Sequence, residues 1–517
     1  MTDPKSSPWG TIVIGSGMGG MTAAAALSKI GHKVLLLEQY QTLGGLTHSF
    51  SRDGFSWDVG IHYLNYVAPG DLDRQLLDWI CDTPIEFVSM GVVYDNVHIG
   101  NTPPFALSRP YEAQERDLKD RFPDDVAAIE AWIEALREGR ETIMKLFPTR
   151  AMPEFVRNAI QWWNGRALEH WCARTTQEVI DGITQNPELS AIFAAQWPDH
   201  GGRPRKSSFG MHAVTAGGYL RSGAWYPVGG GAAIADHILP TIISAGGEAR
   251  ANTRVDGLLF ENENVVGVRT ESGEKIRADA VISNIGARET VKHLVPEECG
   301  QSDWISEIET LPPSIAHFSL FLGFEGDVEN AGATRSNHWV YPGGQVDAVW
   351  ENVSETDPPG FFVSFASIKD PNHEPGPKQK HAGEMMVWAD WSTVEKWADV
   401  PSSQRDKDYS TFKQQAEDKL FAQFAKHFPD LADLVVFREL STPLSTSAIT
   451  GHHHGAFYGL DVTPDRTLSG ALQAKTPIEG LYLSGQDVTS PGIPGALWGG
   501  LLAAASVDPR IFKHLKG

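Results

Sequence analysis

The sequence predicts an α/β fold, a parallel-sheet dinucleotide-binding domain with an inserted α+β substrate domain, closed by the far end of the chain. Three observations carry that expectation. Residues 11–38, TIVIGSGMGGMTAAAALSKIGHKVLLLE, read as strand, glycine turn, helix and a second strand ending in a carboxylate. From residue 71 the periodicity turns helical, and from about 291 to 450 strand-like segments rich in aromatic and β-branched residues follow. The chain then returns, over 478–507, to a short apolar strand and a glycine-rich helix, which implies one fold closed by its two termini.

In the first stretch the glycines have separable tasks. Gly15 permits the tight turn, Gly17 lets backbone approach a pyrophosphate, and Gly20 lets the helix pack closely on the strand, with Met18 and Gly19 between them. Unpaired N–H groups at the helix start, with roughly half a unit of positive dipole charge, favour an anion without a lysine. Met21 stands where a P-loop needs lysine. Glu38 lies about twenty residues on, where a carboxylate accepts ribose hydroxyls and repels a 2′-phosphate, so the site does not read as one for NADP. Ile12, Val13 and Ile14 before the turn and Ala23, Ala24, Ala25, Ala26 and Leu27 behind it raise this above a chance GxGxxG.

The 517 residues suffice for two or three domains and an interior that encloses a large ligand. A formal charge of -22 argues against nucleic acid as a partner. Cys81, Cys172 and Cys299 are odd in number and far apart, which fits a reducing compartment and neither a disulfide framework nor a metal site. MTDPKSSPWG lacks the apolar core of a signal peptide, and the longest apolar candidate, 493–507, is too short and glycine-rich to span a bilayer. An acidic cytoplasmic enzyme is the simplest expectation.

Directly after Glu38 come Gly44 and Gly45 and then LTHSFSRDGFSWDVGIHYL, which suggests a loop folding over the cofactor. His48 and His62 are candidates for contact with a flavin or substrate, against the alternative of histidines satisfied by backbone. Gly60 marks a tight turn. Residues 71–182 read as helical. Within them, 144–171 mixes Met144, Leu146, Phe147, Phe155, Trp162 and Trp163 with Lys145, Arg150, Arg157 and Arg166. That composition suits peripheral membrane contact, or a cap helix whose aromatics pack inward. RSGAWYPVGGGAAIADHIL is a second glycine-rich approach to a helix and reads as close chain packing. Residues 248–286 read as a β-meander returning to the nucleotide domain, with Val255 placed against the adenine end or simply in the core.

Beyond residue 291, SIAHFSLFLGFEG, NHWVYPG, GFFVSFASIKD and EMMVWADW read as strands, 370–383 as a surface loop, and 406–428 as a helix. Near the end, residues 478–484 form a strand, Gly485 and Asp487 follow, and a helix begins near 492–495, with Ile493 and Gly495 at its start. The aspartate suits a ribityl or pyrophosphate hydroxyl, and the helix start suits negative charge at the pyrimidine edge of a reduced flavin. The expected division is 1–70, 226–290 and 451–517 for the nucleotide domain, 71–225 for a helical cap, and 291–450 for the substrate domain.

These motifs, together with FGMHAVTAGGYLRSGAWYPVGGG, VISNIG, FYGLD, LYLSGQDV and PGIPGALWGGLLAA, resemble the retinol saturase, carotenoid isomerase and phytoene desaturase family of FAD enzymes. GQDV and GALWGGLL are most similar to the retinol saturase branch. The resemblance spans nearly the whole chain, with little of it in 71–180 and 330–400. It implies a Rossmann-type, glutathione-reductase-like FAD-binding domain. FAD would be held by Gly15, Gly17, Gly20, Glu38, Gly44, Gly45, Val255 and Asp487, and the substrate would be a long apolar molecule with a C=C bond. The turn Ser490-Pro491-Gly492-Ile493-Pro494 and the run His452, His453, His454 depart from the family pattern.

Reducing an isolated double bond takes a hydride at one carbon and a proton at the other, with reacting atoms about 3 to 3.5 Å apart. Ten buried carbons contribute on the order of 8 kcal/mol before ordering costs, so an aromatic tunnel suffices for binding. His62, His212, Tyr226, His453 and Tyr458 are the proton-donor candidates. The adjacent histidines have no accompanying carboxylate or cysteine motif, so no metal is expected. With no second nucleotide fold, either NAD(P)H visits transiently as electron donor or a separate protein supplies electrons. Saturation of a retinoid- or carotenoid-like polyene is favoured over desaturation. A reduced-flavin cis–trans isomerase and a lipid-binding flavoprotein without turnover are the alternatives.

Overall fold

Strand β1 (Trp9–Ile14) leads through residues 15–17 into helix α1 (Met18–Lys29) and back to strand β2 (Val34–Leu37). β1 and β2 pair in parallel, Thr11 opposite Val34 and Ile14 opposite Leu37. A computed structural model describes residues 9–296, 299–350, 354, 358 and 360–514. Residues 1–8, most of the stretch considered for a signal peptide, lie outside the described residues.

Two large sheets organise the chain. Around β1 and β2 lie Glu248–Arg250, parallel to β2, and Lys275–Ser283, parallel to the other side of β1. Lys275–Ser283 divides its outer edge: Asn264–Thr270 pairs antiparallel with its first half, and Leu481–Leu483 pairs parallel with its second. Val255–Glu261 completes the expected meander. All four residues of β2 are buried, as expected of a strand covered on both faces.

The second sheet runs in the order Val435–Ser441, Ala316–Glu325, Lys380–Ala389, Phe361–Ser364, Asn337–Tyr341, Val93–Ile99, Phe105–Ser108. Its strands alternate strictly between two apolar layers. Val340, Met385 and Val387 face Leu420 and Phe424 of helix Lys407–His427, whereas Trp339, Tyr341, Met386 and Trp388 face the helices on the other side.

Several expectations are corrected here. The region 71–182 is not helical throughout, because Val93–Ile99 and Phe105–Ser108 cross into the second sheet, the former parallel to Asn337–Tyr341. Their short lengths and mixed polar content hide them from a periodicity reading. Val435–Ser441 is a further strand, and the loop expected at 370–383 ends where Lys380–Ala389 begins. Helix Glu154–Trp163 does not turn its aromatics inward: it buries no residue, and Phe155, Trp162 and Trp163 are 77%, 81% and 81% exposed. Among the described residues no helix is long and apolar enough to cross a membrane.

Helix α1 is buried along nearly its whole length. Its alanines keep it thin enough to lie against the C-terminal helix Gly492–Val507 and helix Ala232–Ser244. The tightest point is Gly500, where a Cβ would stand 2.2 Å from the Gly19 carbonyl oxygen. Substituting Gly500→Val is therefore expected to cost about 1–3 kcal/mol of stability through overpacking. A lowered urea midpoint with an unchanged slope would record that cost, and an unshifted midpoint would refute it.

Candidate functional site

The two termini of the chain meet over one cavity of ≈ 330 Å³, which runs from the end of β2 to the face of helix Phe209–Ser222. At its nucleotide end, Gly17 caps α1 without a side chain, and no acidic residue sits in the first turn. The N–H groups at the start of α1 are thus left for an external anion. Backbone and the Asn284 side chain crowd this point: a Cβ on Gly19 would meet Asn284 Oδ1 at 2.5 Å and the Gly485 Cα at 2.6 Å, and one on Gly45 would meet the Gly17 Cα at 2.7 Å. A side chain at either glycine is excluded, so a diphosphate can approach their peptide groups directly.

Glu38 organises the turn. One carboxylate oxygen accepts hydrogen bonds from the Ser16 N–H (2.8 Å) and hydroxyl (2.7 Å), and the other from the Tyr40 N–H (2.9 Å). The Ser16 oxygen in turn accepts the Gly44 N–H at 2.9 Å, which ties the loop after β2 to the glycine turn. Glu38 also lines the cavity beside Thr253, Arg254 and Val255, as an adenosine-binding carboxylate must.

At the opposite end of the cradle, Asp487 binds two chain segments through backbone. Its Oδ2 accepts from Ala287 N–H at 2.8 Å and its Oδ1 from Leu460 N–H at 3.0 Å, while the side chain still borders the cavity. The buried Ser484 hydroxyl lines the same region with no hydrogen-bond partner among the described residues. The C-terminal helix, again without a side-chain cap, presents Gly492, Ile493 and Pro494. Two uncapped helix starts, a ribose-type carboxylate and an unpaired hydroxyl fit the donor and acceptor groups of FAD.

The rest of the cavity is aromatic with a few convergent polar groups. Tyr63, Tyr66, Tyr219, Phe457 and Tyr458 line it with His62, Leu64, Val214 and Asp199. Tyr63 stacks on Tyr219 with ring centroids 4.6 Å apart. Tyr66, held at φ +61, is fixed by its hydroxyl donating to Val214 O at 2.7 Å while accepting from Arg140 at 3.0 Å. A smaller cavity of ≈ 30 Å³ adjoins at Gly60, His62, Asp199, Phe457 and Tyr458.

The structure brings together Gly15, Gly17, Met18, Gly19, Glu38, Gly45, Val255, Gly485, Asp487 and Ile493, and adds His62 and Tyr458 at the far end. Gly20, Gly44 and Gly495 stand behind the lining. A Cβ at Gly20 would lie 2.0 Å from the Gly15 oxygen and one at Gly495 1.7 Å from the Ser490 oxygen, so both serve chain packing. His48 lines the cavity with its Nδ1 2.5 Å from Gly45 O.

Three proton-donor candidates are placed elsewhere. His212 is fully buried within its helix, between His200 Nε2 at 3.1 Å and Phe193 O at 3.0 Å, because it sits on the face turned to Trp132. Tyr226 is buried with its hydroxyl donating to Asp58. His453 stacks on His454 outside the lining, and it is His452 that borders the cavity. Burial, then Lys369 and His317, push the His62 imidazole down to about 3, so it is neutral near pH 7, and burial pushes the Tyr458 phenol up. Tyr63, Asp199, Tyr219 and Asn284 were not foreseen as site residues, although Tyr63, Tyr219 and Asn284 lie inside the quoted GIHYL, AGGYL and VISNIG stretches. Among the described residues no group of three or more potential metal ligands occurs.

Comparison with known proteins agrees with this geometry. The sequence pattern of the family described as flavin containing amine oxidoreductase matches residues 18–508. The all-trans-retinol 13,14-reductase of Danio rerio is 29% identical over 525 residues, covering 96% of this chain and 86% of the relative. The chloroplastic prolycopene isomerase of Daucus carota is 25% identical, covering 97% and 80%. A solved oxidoreductase structure from Methanosarcina mazei shares the fold, with a TM-score of 0.62 at 18% identity over 95% of this chain and 98% of the other.

Replacing Glu38 by alanine strands the buried Ser16 donors and removes the ribose acceptor. At about 1–3 kcal/mol for such a loss, and 1.4 kcal/mol per tenfold, FAD affinity is expected to fall roughly 5- to 150-fold. Titration of the apoprotein with FAD, followed by flavin fluorescence, measures this; unchanged affinity would refute the placement of the adenosine end.

Proposed function

The chain belongs to the flavin-containing amine oxidoreductase family, and from that premise we propose that it saturates a C=C bond of a long apolar polyene of the retinoid type, using FAD. The observation that carries this reading is the join of the FAD cradle to an aromatic cavity end within one continuous lining. Support also comes from the near full-length likeness to a retinol 13,14-reductase. FAD, once reduced, supplies two electrons and a hydrogen to the double bond.

The chain's own residues do the rest. Gly17, Met18 and Gly19 hold the diphosphate, Glu38 and Val255 the adenosine end, and Asp487 and Ile493 border the flavin end. The stacked Tyr63 and Tyr219 and the edge of Phe457 provide flat apolar surface for a conjugated chain and keep water from the reacting bond. A charged amine would find less here, since burial holds His62 neutral and Tyr63 and Tyr219 protonated.

Helix Glu154–Trp163 supports a second element of the reading, contact with a lipid surface that carries such a substrate. Its exposed Phe155, Trp162 and Trp163 lie beside Arg157 and Arg166, the composition that seats a segment in a membrane interface. Cosedimentation with anionic liposomes is expected for the intact protein and should be lost in the variant W162S/W163S. Equal partition of the two would sink the membrane contact.

The activity is tested anaerobically by mixing reduced holoenzyme with retinoids, carotenoids and unsaturated fatty acids. Flavin reoxidation with a product two hydrogens heavier is the expected result for a retinoid. An isomerised product of unchanged mass with flavin still reduced would replace saturation by isomerisation, the activity named for the Daucus carota relative.

A further inference from the structure

At the aromatic end of the cavity a buried carboxyl, Asp95, and a half-buried one, Asp199, flank one phenol. The Tyr63 hydroxyl oxygen lies 2.6 Å from Asp199 Oδ2 and 3.0 Å from Asp95 Oδ2. A phenol has one hydrogen to donate, so both contacts are hydrogen bonds only if one carboxyl brings a proton of its own. Asp95 is the ionised member. Its Oδ1 accepts from Asn337 Nδ2 at 3.0 Å and its Oδ2 from Gln196 Nε2 at 2.9 Å. Lys369 stands behind Asn337, donating to it, to Ser364 Oγ at 2.7 Å and to His62 O at 2.9 Å. Among the described residues Asp199 has no amide or cationic partner of this kind, and it borders both cavities.

We propose that Asp199, held in place by its hydrogen bond to Tyr63, is the acid that protonates the substrate. The inference rests on the saturase reading above and assigns the proton it requires. The side chains facing Asp199 agree with it: Asp95 adds negative charge, and Tyr63, Tyr219 and Tyr458 are all phenols kept protonated by burial. Burial first, and then Asp95, push the Asp199 carboxyl well above the usual carboxylate range against the hydrogen bonds from Tyr63 and Tyr219, the direction that the single phenol hydrogen between the two carboxyls also requires.

In the step, the Asp199 hydroxyl turns from the Tyr63 oxygen to the substrate, its O–H bond breaks and the proton forms a C–H bond at one alkene carbon. The other carbon takes its hydrogen with the electron pair from the reduced flavin, and the double bond becomes single. Asp199 is left as carboxylate. Proton return from solvent fits the adjoining ≈ 30 Å³ cavity, which is large enough for a water between Asp199, His62 and His317. Among the described residues, this arrangement resembles that of a carboxylic acid kept neutral by an apolar site so that it can act as a donor.

The test uses the FAD-loaded protein and two readouts. In the infrared, the wild-type minus Asp199→Asn difference spectrum at neutral pH is expected to show the carbonyl band of one protonated, deuterium-exchangeable carboxyl, the bands of other buried carboxyls such as Glu384 cancelling. In single turnovers of the reduced enzyme with a retinoid, Asp199→Asn is expected to lose about 10²–10⁴-fold in rate, the range of general acid catalysis, while FAD content and the rate of flavin reduction stay unchanged. If Asp199→Asn does not fold, Tyr63→Phe provides the test: the band shifts and turnover slows. Wild-type turnover in Asp199→Asn, or an identical band in both proteins, overturns the assignment and leaves the saturase reading standing. A wild-type enzyme that binds polyenes and reduces none of them takes down both.

Discussion

Close backbone approach around the start of α1 is the constraint on which the rest of the molecule depends. Gly19 lies against Asn284 and Gly485, Gly45 against Gly17, Gly500 against the Gly19 carbonyl, and Gly499 against the Gly485 carbonyl. Of these, Gly19 against Gly485 and Gly500 against the Gly19 carbonyl join the beginning of the chain to its end, backbone on backbone. The sheet order follows, since Leu481–Leu483 can reach the edge of Lys275–Ser283 only if the C-terminal helix lies flat on α1. So does the cofactor cradle, because the positions stripped of side chains for packing are the positions a diphosphate approaches.

Glu38 converts that packing into a binding site. Its carboxylate holds Ser16, Ser16 holds Gly44, and the loop that follows carries His48, Gly60 and Tyr63 toward the far cavity wall. Nucleotide binding and substrate binding are thus linked through a short run of hydrogen bonds and one loop.

The far wall obeys a different logic. The second sheet turns one layer of aromatics toward helix Lys407–His427 and the other toward the cavity side, and Asn337, Asp95 and Lys369 among its buried polar groups bond one another. Lys369, Asn337, Asp95, Tyr63 and Asp199 come from separate parts of the chain, and each would be costly alone in this environment. Together they place one titratable group at the cavity surface in surroundings that keep it protonated.

The nucleotide half was legible because its chemistry is local. A tight turn, an uncapped helix and a carboxylate about twenty residues on are constraints between near neighbours, and glycine, alanine and glutamate each leave a signature there. Gly485, Asp487 and Ile493 were legible for the same reason. By itself the sequence determined an FAD-type cradle at both termini, four strands of the second sheet between Ala316 and Ala389, and an aromatic and basic helix as a membrane-contact candidate. Tertiary structure alone decided that His212 and Tyr226 are core residues, that His452 and not His453 meets the cavity, and that Val93–Ile99 belongs to the second sheet. It alone brought Tyr63 between Asp95 and Asp199. Those outcomes depend on which face of an element is buried and on hydrogen bonds between residues 32 and 136 positions apart, quantities that no local pattern encodes.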